Sequence, residues 1–299
     1  MFKYILIVIS ILLFVGCDNT KKIQKIIYTS DIHVSLPKGR FNYMTQKYIN
    51  LLNKYKMQNN IYFINGDFID KAYFKDGKII GGNRDYQIKE TKYFLNLTKE
   101  LTSFKKNKIL LNFGVGHDFG DLLLSEMLTQ QKRIGRYKWG NIDLIWFTSQ
   151  QATFPSNNSI KSHCLSNSEY KLLEDMLVAS DNAILFSHIP LRTTQTFTYG
   201  KWANNRNLTI PLSDPLYKII DQNKNKILAI FSGHIHTTYE SKYKSIPIYS
   251  FPFMHYESFC EIEQNKFSIK ISPKQLGLQK LNFKSKIYYL KNKFIYLRR

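Results

Sequence analysis

Five short apolar runs in this 299-residue chain are each followed closely by aspartate or histidine. Residues 26–30 (IIYTS) lead into Asp31 and His33, 61–65 (IYFIN) into Asp67 and Asp70, and 108–113 (KILLNF) into His117 and Asp118. Residues 183–187 (AILFS) lead into His188, and 227–232 (ILAIFS) into His234 and His236. Apolar runs this short, bounded by turn-forming residues, have the pattern of strands buried on both faces. Between them lie stretches of helical spacing. Residues 43–56 set Tyr48, Leu51, Leu52 and Tyr55 on one face. A second helix is expected around 86–104. Residues 166–177 open with the capping-box pair Ser166 and Glu169 and carry Tyr170, Leu173 and Leu177 on one face. A fourth helix is expected near 215–222, and 137–147 has the pattern of a hairpin turning at Gly140-Asn141. Alternating buried strands and amphipathic helices predict an α/β fold, and the short strands expected at 247–251, 259–263 and 267–271 predict a second sheet packed on the first. No linker or repeat divides the chain after residue 20, so residues 25–299 are expected to form one domain.

The chemistry collects where these strands end. In open α/β sheets the carboxyl ends of the strands form the ligand crevice, so the aspartates and histidines are expected to converge there. A single histidine after a strand is ordinarily a loop residue, but five of the chain's seven histidines follow this pattern. A shared metal site explains the repetition, because imidazole and carboxylate together suit zinc, manganese or iron. The chain has 3 cysteines, none placed for thiolate ligation.

The ordered blocks Asp31-Ile32-His33, Gly66-Asp67-Phe68-Ile69-Asp70, Val115-Gly116-His117-Asp118, His188-Ile189-Pro190 and Gly233-His234-Ile235-His236 resemble the signature of the calcineurin-like metallophosphoesterases. The resemblance implies a four-layer αββα fold, two packed mixed sheets flanked by helices. It also implies two divalent metal ions (Mn, Fe or Zn), one held by Asp31, His33 and His236, the other by His188 and His234, with Asp67 bridging them. The implied activity is metal-dependent phosphoester hydrolysis, as a phosphomonoesterase, phosphodiesterase or nucleotide pyrophosphatase, by a hydroxide shared between the metals. His117 stands at the family's proton-donor position, and Asp70 where a carboxylate orients that imidazole. The chain departs from the family at Gly116, where an asparagine usually completes the second metal site. Asn112, four residues before it, is a conceivable substitute ligand, although an asparagine at a strand end is more ordinarily a turn residue. Lys71 and Arg192 are candidate contacts for a phosphate oxygen. Residues 75–86 and 198–207 are expected to be rim loops that select substrate, and His163 and His255 to be structural.

The N-terminus, MFKYILIVISILLFVGC, has one lysine and an apolar run too short to cross a roughly 30 Å hydrocarbon core, so a signal peptide is expected over residues 1–17. Its last four residues, Phe14-Val15-Gly16-Cys17, resemble a bacterial lipobox, with Phe14 in place of the usual leucine. The resemblance implies acylation of Cys17, a short tether over 18–24, and an exported domain held by lipid at the periplasmic or cell-surface face of a bacterial membrane. Cys164 and Cys260 remain, and whether they pair cannot be read from spacing. The net charge is +21. It fits an anionic partner, or the lysine and asparagine enrichment of an A+T-rich genome; no specific nucleic-acid signature accompanies it. The expected partners are thus a phosphoester substrate and a membrane, with no specific nucleic acid. The alternative function is a catalytically weakened or inactive metal- and anion-binding surface lipoprotein of the same fold, motivated by Gly116.

Overall fold

The protein is described here from a computed structural model covering residues 24–37, 42–70, 74–75, 78–79, 84–103, 107–114, 122–149, 164–193, 209–236, 238–253, 257–264, 268–275 and 295–298. Lys71, the block 115–118 with Gly116 and His117, His163, His255, the rim loop 198–207 and the N-terminal segment through Cys17 lie outside these residues.

The first sheet has the order β14-β13-β12-β1-β2-β5. Its parallel strands are β1 (Lys25–Thr29), β2 (Asn60–Asn65) and β5 (Lys108–Asn112), extended antiparallel by β12 (Ser258–Gln264), β13 (Ser268–Gln275) and β14 (Ile295–Arg298). The second has the order β10-β11-β9-β8-β7-β6. Here β7 (Ile142–Phe147), β8 (Ala183–Ser187), β9 (Ile227–Ser232) and β11 (Ile246–Ser250) run parallel, flanked antiparallel by β6 (Ile134–Trp139) and β10 (Tyr239–Tyr243). A two-stranded ribbon, β3 (Phe74–Lys75) and β4 (Lys78–Ile79), lies apart from both.

Three apolar clusters define four layers. Helices α1 (Asn42–Tyr55) and α2 (Arg84–Ser103) cover the first sheet through Tyr48, Leu51, Leu52 and Phe94, packed on Tyr62, Ile64 and Leu111. Helices α4 (Asn167–Val178) and α5 (Leu216–Asn223) cover the second through Leu173, Leu177 and Ile220, packed on Leu185 and Ile230. A short helix, α3 (Leu122–Thr129), follows β5 and packs beside α2. Between the sheets the rings of Phe63 and Phe186 stack with centroids 3.7 Å apart, and Tyr28, Trp146 and Phe231 fill in around them. Each strand of continuous apolar residues thus serves two cores, alternate residues facing a helix layer and the opposite sheet. The capping box of α4 is formed, with Ser166 and Glu169 bonded reciprocally.

Both Cys164 and Cys260 are free and buried. Cys164 bonds the Asp214 carboxylate through its amide at 2.8 Å, while Cys260 sits between the sheets. Among the described residues no helix is long and apolar enough to cross a membrane.

Candidate metal centre

The parallel strands of both sheets end side by side, and the chain beyond each end keeps its neighbour's company for several residues. After β1 the amides of Asp31, His33 and Val34 donate to the carbonyls of Gly66, Asp67 and Phe68 at 3.0, 2.9 and 2.7 Å. Ile32 and Val34 enter the helix-covered core, so alternation sends Asp31 and His33 to the other side. Eight non-glycine residues among those described have positive φ, and five are predicted ligands: Asp31 and His33 at 50°, Asp67 at 49°, His234 at 68° and His236 at 48°. A left-handed side-chain-bearing residue costs on the order of 1–3 kcal/mol, so such a cluster marks strain held for function rather than for stability.

These turns bring six predicted ligands into two groups: Asp31, His33, Asp67 and His236 in one, Asp67, His188 and His234 in the other, with potential ligand atoms within 4.8 Å of one another in each. Asp67 belongs to both. Its Oδ2 lies 3.8 Å from His33 Nε2 and 3.4 Å from His188 Nε2, one histidine from each group. The His33 and His236 Nε2 atoms face each other at 3.2 Å, and the His236 Nε2 lies 3.4 Å from Asp31 Oδ1. His188 Nδ1 is held by the Asn65 carbonyl at 2.8 Å, which fixes the ring and turns Nε2 toward Asp67.

The donor set fits a pair of divalent cations. Asp31 Oδ2 is buried with no hydrogen-bond partner among the described residues, a cost that a cation at the same place removes. Three glycines let the backbone close in: a Cβ on Gly66 would lie 2.3 Å from His188 Nδ1, on Gly114 2.1 Å from Asp67 Oδ1, and on Gly233 2.5 Å from Asp31 Oδ2. Without a metal the group shares its charge through protons. Burial pushes the Asp31 carboxyl up, but the His236 hydrogen bond and the charges of His188 and His236 outweigh it and hold it down at about 2. Burial works against the His188 cation, yet Asp67 beside it carries the imidazole up to about 9. His234, buried and facing the charged His188, is pushed down to about 4.

Asn112 is not a substitute ligand. Its Nδ2 donates to Asn65 Oδ1 at 2.8 Å and to the Phe147 carbonyl at 3.1 Å, and its Oδ1 accepts from Thr148 at 2.8 Å. It is a buried clamp between the sheets. Asn65, unremarked in the sequence, is its partner, donating also to the Tyr28 hydroxyl at 2.9 Å and the Ser187 carbonyl at 3.2 Å. The available signal was an asparagine closing each of two buried apolar strands. Asp70 lies buried near the metal groups' loop, its amide 3.2 Å from the Glu90 carboxylate of α2. Arg192 is half-buried, its Nε donating to Thr209 at 3.1 Å.

No curated protein matches the sequence. In fold, the chain is similar to a dimetal phosphatase from Danio rerio at 10% identity and TM-score 0.59, covering 84% of this chain and 96% of that one. It is also similar to GAP50, the anchor in the inner membrane complex of Plasmodium, at 11% identity and TM-score 0.48, covering 91% and 94%. At such identity the first likeness speaks to the fold. The sequence profile of the calcineurin-like phosphoesterases matches residues 24–238, from the first described strand through His234 and His236, and the chain belongs to that family.

Proposed function

We propose that this protein is a metal-dependent phosphoester hydrolase, exported and tethered to a bacterial membrane through acylated Cys17. The observation that carries the catalytic part is the shared carboxylate: two ligand groups meet at Asp67 on the strand ends of two packed sheets. Two bound divalent ions supply charge neutralisation for phosphoryl oxygens and an activated hydroxide. Asp31, His33 and His236 would hold one ion and His188 and His234 the other, with the Asp67 carboxylate common to both groups. His117 donates a proton to the leaving oxygen, and the Asp70 carboxylate orients and charges that imidazole. Lys71 and Arg192 are assigned to the phosphate oxygens. The test is hydrolysis of a generic phosphomonoester, a phosphodiester and a nucleotide pyrophosphate by chelator-treated protein, before and after return of manganese, zinc or iron. Restored turnover that His117→Ala abolishes is expected; no metal-dependent hydrolysis of any of the three would sink the proposal.

One observation favours the weakened site as a second reading. Among the described residues the group around Asp31 has four members and the group around His188 has three, and Gly116 has no side chain to add to either. A single tightly held ion per chain without turnover would favour a metal- and anion-binding lipoprotein.

A further inference from the structure

We propose that the end of the fold from which the N-terminal tether emerges docks on anionic lipid headgroups, holding the metal centre away from the membrane. The inference rests on membrane tethering at Cys17 and extends it from attachment to orientation.

The entry of the chain is fixed at both sheets. The Gln24 carbonyl accepts from Trp139 Nε1 at 2.6 Å, its side-chain amide donates to Asn59 at 2.6 Å, and Lys25 pairs in register with Asn60. This is the amino edge of the parallel strands, opposite the edge that carries Asp31, Asp67 and His188. Seven residue steps separate Cys17 from Gln24, a reach of about 25 Å at full extension. A folded unit of this length has a radius of gyration near ~19 Å, so the tether cannot carry the acyl chains around to the far end.

That edge is basic. Lys54 lies in the last turn of α1 and Lys56 just past it, Lys108 opens β5, and Lys224 precedes β9. The acids nearby have cations beside them: Asp143 bonds Arg136 and Lys138, Asp221 bonds Lys244, Glu261 and Glu263 share Lys25 with Lys270 also at Glu263, and Glu174 and Asp175 near the end of α4 share Lys171. Asp181 is exposed at the same edge. Met57 and Val178, just past α1 and at the end of α4, are 54% and 61% exposed at the same edge. Lysines around exposed apolar side chains beside a lipid tether are complementary to an anionic leaflet, where each lysine contributes about a fivefold factor in binding.

The test uses the full chain purified from the membrane fraction. Bimane is placed at Met57→Cys, with Leu212→Cys before α5 at the opposite end as the control, the native Cys164 and Cys260 being buried. Each is reconstituted into vesicles of brominated phosphatidylcholine, and of brominated phosphatidylcholine and phosphatidylglycerol in equal parts. Docking predicts quenching at position 57 in the mixed vesicles alone, none at 212, and its loss in Lys54→Glu/Lys56→Glu/Lys108→Glu protein that keeps its circular dichroism. Equal emission at 57 in both vesicles, or quenching at 212, overturns the proposal. Intact mass reads the acyl chains separately, so a missing anchor is distinguished from a missing orientation.

Discussion

Gly114 approaches the shared carboxylate more closely than any side chain permits. A Cβ there would lie 2.1 Å from Asp67 Oδ1 and 2.2 Å from the Asp67 amide nitrogen, so Gly114→Ala must displace the one residue common to both ligand groups. Its φ is not left-handed, so the cost falls on the contact rather than on the backbone. Metal affinity is expected to fall by about 10–100-fold for both ions, as supporting changes around ligands commonly cause. Equilibrium dialysis with metal analysis measures it, and retention of both ions in folded Gly114→Ala protein would contradict the geometry. Gly116→Asn predicts the opposite. It restores the side chain that the family usually carries, so occupancy of the second ion should rise while the first is unchanged; unchanged occupancy of both means that another group already completes the site. The residues of the two groups were legible as candidates because each follows a buried strand by one to four residues. The close approach of Gly114 and the Asn65–Asn112 clamp were not, because their reasons lie in contacts across dozens of residues and between two sheets. Asn112 shows the difference: within its own strand it is a polar residue at a turn, and only the folded chain gives its amide Asn65 on the neighbouring strand and Phe147 and Thr148 from the second sheet.

At the scale of elements, the sandwich depends on the ring layer between the sheets. Phe63 of β2 stacks on Phe186 of β8 and meets Trp146 edge-on at a centroid distance of 6.1 Å. Phe63 is fully buried, and removing a phenyl ring from such a place typically costs about 3–5 kcal/mol. Phe63→Ala should lose that amount in urea unfolding with an unchanged denaturant slope, and a loss below about 1 kcal/mol would mean the layers collapse around the gap. Helices and strands were legible to within two residues at most ends. Strands 183–187 and 227–232 coincide with β8 and β9, and the Gly140-Asn141 turn joins β6 to β7. What continuous apolar runs cannot encode is which residues face a helix and which the other sheet, since both faces are buried. Residues Ile295–Arg298 pair antiparallel with β13 as an edge strand, a place where charged residues also discourage further pairing.

For the whole molecule, metal binding and protonation compete for the same atoms. In the metal-free protein the Asp67 carboxylate raises His188 to about 9, above the ordinary histidine value of 6.5. A raised value means that the proton stabilises the fold fully below the unfolded value, and that this contribution fades as pH rises through the folded one. An ion at His188 requires the neutral imidazole, so near pH 7 it must expel that proton. Affinity for this ion should therefore climb with pH between about 6.5 and 9, while His234, lowered to about 4, carries no proton to lose in that window. Asp31, held at about 2, is likewise already ionised. Calorimetric titration of manganese into chelator-treated protein, in two buffers of different ionisation enthalpy, measures the protons released. A net release near pH 7 that shrinks toward pH 9 is expected. Binding without release would mean that His188 is neutral before the ion arrives, and that Asp67 is balanced by some other cation. The same competition governs stability. Ions bound to the folded chain alone add about 2.7 kcal/mol at a hundredfold excess over their dissociation constant, so the metal-dependent rise in Tm should be larger at pH 8 than at pH 6. A rise independent of pH would place the bound ion away from His188.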